Sequence, residues 1–262
     1  EIMPSLVGSE MCIRDRSYSK SCCMQIAVIS NVQGNLPALT NALAEIEKLK
    51  ESGRKIEKVY ILGLLGYFPY PKEVVEIVKN SDSIAAVRGK YDHLIARWEE
   101  IDEEDIEDLA DFMIKTIEWN WKELGKLRSW LRNELPAFLV ENFGNNRFLF
   151  VYGDPFNPVN GEILLKRSTA YYEQFIAPLK YDLIAVGSKE PFIAETRYGK
   201  IVCVGSIGFG VRNSKPTFAV IDTKTTDISF FDFEFNRKSV EDKIKENNLP
   251  QQLIEILYRG NY

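Results

Sequence analysis

Short apolar runs alternate with amphipathic stretches through the first third of the chain. Gln25–Ser30 is a nearly continuous apolar run, typical of a buried strand, and Lys58–Leu62 and Ile84–Arg88 are two more. Between these runs, apolar residues recur at spacings of three and four, which predicts helices after Asn35 and over Lys72–Val78. Such a repetition of strand, loop and helix predicts a parallel sheet with helices on its faces.

The middle of the chain is predicted to be helical and the second half to be mostly strands. Residues 93–135 carry no strand signal, and we predict two or three helices there, ending before Pro136. Strands are predicted at Ala137–Val140, Phe148–Tyr152, Leu183–Gly187, Phe192–Thr196, Ile201–Gly205, Thr217–Asp222 and Ile228–Phe235. The last stretch, Ser239–Tyr258, has a helical pattern that breaks at Leu249–Pro250.

Composition and charge exclude several classes of protein. The chain has 262 residues, of which 45% are hydrophobic and 27% charged, as in ordinary globular proteins. No apolar run approaches the ~20 residues that a membrane span needs, so we expect no membrane partner. The formal net charge of −5 argues against general nucleic-acid binding. A single histidine excludes any mechanism that needs two imidazoles.

The first 23 residues differ from the rest of the chain. They show neither helical nor strand periodicity, lack the apolar core of a secretory signal, and resemble translated adapter sequence. We predict that residues 1–23 are a non-native or disordered leader and that one domain spans 24–262, although a native N-terminal arm is an alternative. Beyond the leader Cys203 is the only cysteine, so we predict no disulfide and a cytoplasmic location.

Five loops follow predicted strands, at the sheet edge where open α/β folds bind ligands. They are Ser30–Asn35 (SNVQGN), Leu62–Tyr67 (LGLLGY), Arg88–Asp92 (RGKYD), Val151–Pro155 (VYGDP) and Val186–Glu190 (VGSKE). In this order the loops resemble the blocks SDxHGN, LGDxVGYxPxP, RGNHD, VHGSP and GHTH of the calcineurin-like metallophosphoesterase superfamily, in its small prokaryotic phosphodiesterase branch. The resemblance implies an α/β fold, a four-layer αββα sandwich of mixed sheets, with a helical insertion around 93–135.

The chain departs from this family at the positions that carry its chemistry. The resemblance implies two divalent metal ions such as Mn²⁺, held by Asp, Asn and His side chains of these blocks. At the matching positions stand Asn31, Gln33, Leu64, Lys90, Tyr152, Ser188 and Glu190, and Tyr91 stands where the resemblance places a catalytic acid. Leu64 offers no donor atom, and Lys90 brings a cation where a dication would sit. We therefore expect no metal, no cofactor and no catalytic residue.

The replaced residues suggest local compensations. We predict that Lys90 pairs with Glu190 or Asp92 across the former metal pocket, the alternative being that Lys90 points to solvent. Five aromatic residues lie in or beside the loops, and they form either an exposed patch or a filling for the vacated space. They are Tyr67, Phe68, Tyr70, Phe156 and Phe209.

Two functions follow from this pattern. The first is a catalytically inactive binding or interaction module, whose partner is an unknown protein or an anionic small molecule. Such an anion would meet Lys90, Lys189, Ser206 and Arg212. The alternative is a phosphoesterase or phosphodiesterase, a phosphoric ester hydrolase with an altered or metal-poor site. Its candidate acids and bases are Tyr91, Asp92, Glu190 and Asp154.

Overall fold

The computed structural model describes residues 24–209 and 215–260 and, at 103 and 105, the backbone alone. The predicted leader 1–23 and the candidate anion-binding residue Arg212 lie outside the described residues. The strands are β1 (Gln25–Ser30), β2 (Ile56–Leu62), β3 (Ile84–Val87), β4 (Phe138–Phe143), β5 (Asn146–Val151), β6 (Leu183–Val186), β7 (Pro191–Thr196), β8 (Gly199–Val204), β9 (Thr217–Asp222) and β10 (Ile228–Asp232). The helices are α1 (Leu36–Glu51), α2 (Pro71–Lys79), α3 (Lys90–Ala96), α4 (Glu103–Ile106), α5 (Asp111–Leu124), α6 (Leu127–Asn133), α7 (Thr169–Ile176), α8 (Arg237–Glu246) and α9 (Gln252–Arg259), with a 3₁₀ turn at Trp98–Glu100.

The strands form two five-stranded mixed sheets. In the first sheet the order is β10-β9-β1-β2-β3, with β1, β2 and β3 parallel and β9 antiparallel to both β1 and β10. In the second the order is β4-β5-β6-β8-β7, with β5, β6 and β8 parallel and the edge strands antiparallel. The carboxyl ends of β1, β2, β3, β5 and β6 are the points at which the five loops begin.

Three apolar clusters define four layers. The cluster between the two sheets combines Val28 and Tyr60 of the first sheet with Phe150 and Val202 of the second. Tyr60 and Phe150 stack with ring centroids 3.9 Å apart. The outer face of the first sheet packs against helices that include α1, α2, α5, α8 and α9, and the outer face of the second packs against α7. The predicted αββα sandwich is confirmed.

Local sequence signals account for most element boundaries. Asn35 caps α1, because its Oδ1 accepts a hydrogen bond from the Ala38 backbone N–H at 3.1 Å, and Pro37 lies in the first turn. The helical insertion is confirmed, although α3 begins at Lys90, three residues before the predicted start. Helix α7 was not predicted from the sequence.

Within the described ranges, no helix is long and apolar enough to span a bilayer.

Candidate functional site

The five loops meet at one end of the sandwich. The Asn31 side chain, after β1, donates a hydrogen bond to the Ser188 carbonyl oxygen, after β6, at 2.8 Å. The Tyr152 ring, after β5, lies against Gly63 and Gly89, which follow β2 and β3. Residues that the sequence matched to the family's metal ligands are therefore brought together in space.

Side-chain amides connect the loops after β1 and β6. Asn31 is 7% exposed and Gln33 3%, and both have left-handed backbone, with φ of 51° and 60°. Gln33 Nε2 donates to Asn31 Oδ1 at 3.2 Å, and Asn31 Nδ2 donates to Ser188. Ser188 Oγ donates to the Glu190 carbonyl oxygen at 2.7 Å and accepts from the Gly205 N–H at 3.0 Å. The Asn31 amide and the Ser188 hydroxyl thus bond to the protein itself, whereas the buried Gln33 Oε1 has no hydrogen-bond partner among the described residues.

The Tyr152 ring occupies a slot lined by glycines. A Cβ on Gly63 or Gly89 would lie 2.6 or 2.9 Å from the ring, and one on Gly187 would lie 3.2 Å from it. Only glycine therefore leaves room for the ring at Gly63 and Gly89. Burial, reinforced by the nearby Asp92 carboxylate, raises the pKa of the Tyr152 hydroxyl well above its ordinary value, so Tyr152 is a neutral phenol.

Asp92 ties two of the loops together. Its fully buried carboxylate accepts hydrogen bonds from the backbone N–H groups of Leu64 at 2.9 Å, Leu65 at 2.8 Å and Gly89 at 2.8 Å. Because Asp92 is the third residue of α3, the bond to Gly89 is half of a capping box. Burial raises the pKa of Asp92 to about 6. The three N–H donors and the Arg88 guanidinium oppose that rise.

Several aromatic residues of the loops contact one another. The hydroxyl groups of Tyr67 and Tyr91 are 3.1 Å apart and hydrogen-bonded, and the Tyr67 ring contacts the Phe209 ring edge-on, with centroids 5.8 Å apart. Burial raises the pKa of both tyrosines. Of the five aromatic residues singled out in the sequence, Phe68 and Phe209 are buried, Tyr67 and Tyr70 are half-buried, and Phe156 is 60% exposed. Most of these residues fill space, while Phe156 faces solvent.

The predicted ion pair of Lys90 is wrong. Lys90 is exposed, and it takes part in none of the ion pairs between residues that the structure describes. Glu190 instead pairs with Lys166, with Nζ and Oε2 3.7 Å apart. Asp92 is enclosed by its three backbone donors. The alternative, that Lys90 points to solvent, is the observed one.

The three described anion-binding candidates, Lys90, Lys189 and Ser206, have different surroundings. Ser206 is 3% exposed, and its hydroxyl donates to the Asn31 carbonyl oxygen at 3.4 Å. Lys90 and Lys189 are exposed on different loops. A cavity of about 470 Å³ adjoins Lys90, His93 and Asn160. Arg97, Glu100 and Glu104 also line this cavity, so basic and acidic side chains both face it.

The residues at the family's ligand positions do not fit a pair of divalent cations. Such ions need deprotonated carboxylates or neutral imidazoles to balance their charge. Leu64 is buried and offers no donor, Tyr152 is a neutral phenol, and the only carboxylate at these positions, Glu190, already pairs with a lysine. Across the described part of the chain, no group of three or more His, Cys, Asp or Glu side chains has an arrangement that could hold a metal ion.

Sequence reasoning missed two features of the site. The sequence identifies Tyr152 only as a replaced ligand, whereas in the structure its ring packs against three of the other loops. The glycines of those loops, Gly63, Gly89 and Gly187, could have indicated room for a large side chain. The close packing of the Gln33 side chain on Gly66 was also not predicted; any Cβ on Gly66 would collide with Gln33 Oε1.

Known structures share this fold. The crystal structure of a metallophosphoesterase from Sphaerobacter thermophilus superposes with a TM-score of 0.69 at 20% identity, covering 90% of this chain and 98% of that one. The fold is therefore that of the calcineurin-like metallophosphoesterases, as the five loops predicted.

Two archaeal proteins are more similar in sequence. The hypothetical protein PH1004 from Pyrococcus horikoshii is 43% identical, with a TM-score of 0.83 over 91% of this chain and 99% of its own. The chain belongs to the same family as this Pyrococcus protein. The uncharacterized protein MJ0912 from Methanocaldococcus jannaschii is 28% identical over 256 residues, 90% of this chain and 98% of its own. No protein-family model matches the chain.

Proposed function

We propose that this protein is a non-catalytic interaction module that uses the metallophosphoesterase fold as a scaffold. The observation that carries the proposal is the Tyr152 ring, which packs against Gly63 and Gly89 among the five loops. A ring in this slot occupies space among the positions that match the family's metal ligands. The hydrolytic chemistry of such sites depends on metal ions that generate the nucleophile and clamp the phosphate.

The loops are joined by bonds that need no metal. The Asn31 amide links the loops after β1 and β6, and the Asp92 carboxylate links those after β2 and β3. In a metal-binding relative, shared ions would supply such cross-links through their ligands. Here direct hydrogen bonds supply the cross-links between loops, as we expect of a stable scaffold.

The three carboxylates that the alternative, an altered hydrolase, would use have partners within the protein. Asp92 is enclosed by backbone donors, and Glu190 is paired with Lys166. Asp154 Oδ1 accepts hydrogen bonds from the Phe156 and Asn157 N–H groups at 2.7 and 2.9 Å. A general acid or base must reach the substrate's proton. The contacts of Asp92 and Asp154 disfavour that role, and the Glu190→Ala variant tests it for Glu190, whose ion pair is exposed.

Metal content and hydrolysis test the proposal together. The full chain is incubated with excess Mn²⁺, desalted, analysed by elemental mass spectrometry and assayed with bis(p-nitrophenyl) phosphate. The Sphaerobacter metallophosphoesterase, treated identically, is the positive control, and a Gln33→Ala variant reveals any contaminating hydrolase. We expect far less than stoichiometric metal and no hydrolysis above that of the variant. Stoichiometric metal, or hydrolysis lost in Glu190→Ala, would refute the proposal in favour of an altered hydrolase.

A further inference from the structure

An apolar groove with a volume of about 360 Å³ runs along the free edge of β3, the last strand of the first sheet. One wall comes from the helical layer and includes Val78 of α2 and Trp130 of α6. The other wall includes Leu139 of β4, which packs on the cluster between the sheets. We call this site the edge groove and define it by six residues, Val78, Ile84, Ala86, Trp130, Leu135 and Leu139.

Backbone groups of β3 form the floor of the edge groove. The Val87 carbonyl oxygen accepts the Gly63 N–H at 3.1 Å, so the backbone groups of Val87 point towards β2. Backbone groups alternate in direction along a strand, and those of Ile84 and Ala86 therefore point away from β2. The floor of the groove is thus an open hydrogen-bonding edge of the first sheet.

Neighbouring chain segments close both ends of this edge and leave its middle open. The Arg88 N–H donates to the Pro136 carbonyl oxygen at 2.7 Å. At the other end, the Ile84 N–H donates to the Ser81 carbonyl oxygen at 3.4 Å. Between these bonds, the Ile84 carbonyl and both backbone groups of Ala86 have no hydrogen-bond partner among the described residues. Ala86 is only 7% exposed, so its unpaired N–H carries a cost in free energy that an added strand would remove.

The β3 strand differs from the other edge strands in its sequence. Edge strands of natural proteins commonly avoid unwanted pairing by carrying a charged residue or a proline. The three others do so, with Glu141 in β4, Pro191 in β7 and Asp232 in β10. The β3 sequence, IAAV over Ile84–Val87, contains neither. Among the edges that the structure describes, this one alone lacks such protection against pairing with another strand.

We propose that the edge groove binds an extended, apolar segment of a partner protein, which adds a strand to β3. Backbone N–H and C=O groups in a row recognise another main chain, and apolar walls accept the side chains on its two faces. The two charged residues that line the groove, Lys79 and Glu134, have opposite signs, so we expect a segment without net charge. A second copy of this chain does not fit, because its own β3 is equally recessed. The inference rests on the proposed function, since it names the partner chemistry of the interaction module.

Peptide selection on the intact protein tests this inference. A random peptide library displayed on phage is selected against the full chain, and synthetic copies of the enriched peptides are measured by fluorescence anisotropy. Binding is compared in Ala86→Pro, which removes the outward N–H, and in the matched control Ala86→Gly, which keeps it. An edge strand tolerates proline where the lost N–H faces away from the sheet, and thermal unfolding verifies that each variant is folded.

Methylation of the peptide backbone supplies a second test that needs no variant of the protein. Each backbone N–H of an enriched peptide is methylated in turn. In an added strand, successive N–H groups point alternately towards β3 and away from it. Methylation at every second residue should therefore weaken binding at least about tenfold, while methylation at the residues between them should change it by less than about threefold.

We expect enriched apolar peptides whose binding Ala86→Pro weakens at least about tenfold and Ala86→Gly by less than about threefold. Absence of enrichment, enrichment of strongly charged peptides, binding unaffected by Ala86→Pro, or a methylation profile without alternation would overturn the inference. A dimer that Ala86→Pro dissociates would assign the groove to a second copy of the chain, which also overturns it. If Ala86→Pro does not fold, the methylation profile decides alone. None of these results alters the metal measurement, so failure of this inference is distinguishable from failure of the proposed function.

Discussion

The buried carboxylate of Asp92 should make folding stability depend on pH in a predictable direction. Burial raises its pKa in the folded protein to about 6, from an ordinary value of 3.8. Between these two values the folded protein binds a proton that the unfolded chain releases. The contribution of Asp92 to stability is therefore larger in mild acid and is lost as the pH rises through the folded pKa.

The perturbation that isolates this contribution is Asp92→Asn. Asparagine keeps the shape of the side chain and does not titrate. Its single oxygen can take the place of Oδ2, which accepts from Leu64 and Gly89, while the Leu65 N–H loses its acceptor. Between about pH 7.5 and about pH 5, the parent should gain about 1.4 kcal/mol of unfolding free energy relative to the variant.

Urea unfolding followed by tryptophan fluorescence at the two pH values measures this difference. All other ionisable groups are common to both proteins, so their titration cancels when the variant is subtracted from the parent. A difference between parent and variant that is the same at both pH values would refute the reasoning. So would a parent that loses stability relative to the variant in acid, because this result would mean that the three N–H donors outweigh burial.

Three other results are expected. Gly34→Ala should lower the free energy of unfolding in urea by more than about 2 kcal/mol, because φ is +69° and the new Cβ would lie 2.5 Å from the Phe68 carbonyl oxygen. The control Gly53→Ala, where φ is also positive but no atom lies within 4 Å, should lower it by only about 1 kcal/mol. Equal losses in the two variants would contradict the steric argument. Burial raises the pKa of the Cys203 thiol to about 12, so iodoacetamide should alkylate this residue only after denaturation, as measured by mass spectrometry. Alkylation of the native protein would mean that strand β8 becomes accessible to solvent. On the proposed function, EDTA or Mn²⁺ should shift the thermal midpoint by less than about 1 °C, and a larger shift would reveal a bound ion.

Most of the fold was predictable because it follows from local patterns. The β1, β2 and β9 runs are apolar over most of their length, and continuous apolar strands are the clearest signature of a sheet covered on both faces. Helix α7 was missed because its residues Thr169–Ile176 combine tyrosine, phenylalanine and isoleucine, which favour strands over helices. Ser168 caps this helix by accepting the Tyr171 N–H, and packing of Tyr172 and Ile176 on the second sheet overrides the propensity.

The candidate site was predictable in its location but not in its contacts. The order of the loops predicts that Asn31, Tyr152 and Ser188 lie at one edge of the sandwich, because the carboxyl ends of parallel strands meet at the same edge of a sheet. The partner of Glu190 was not predictable. Lys166 lies in a segment without periodicity, so its position depends on tertiary packing, and an ion pair between exposed side chains contributes too little energy to constrain the sequence.

The replacements in the loops make physical sense as a set. An Asp at the Leu64 position would set a carboxylate beside the buried Asp92, which accepts the Leu64 N–H, and two adjacent carboxylates without a cation repel each other. Leucine removes that charge. Tyrosine at 152 fills the glycine-lined slot with a ring. Gln33 donates a hydrogen bond to the Asn31 side chain, while its own buried Oε1 has no partner among the described residues. On the proposed function, the hydrogen bonds of Asn31 and Asp92 join the loops where a bound ion would otherwise join them.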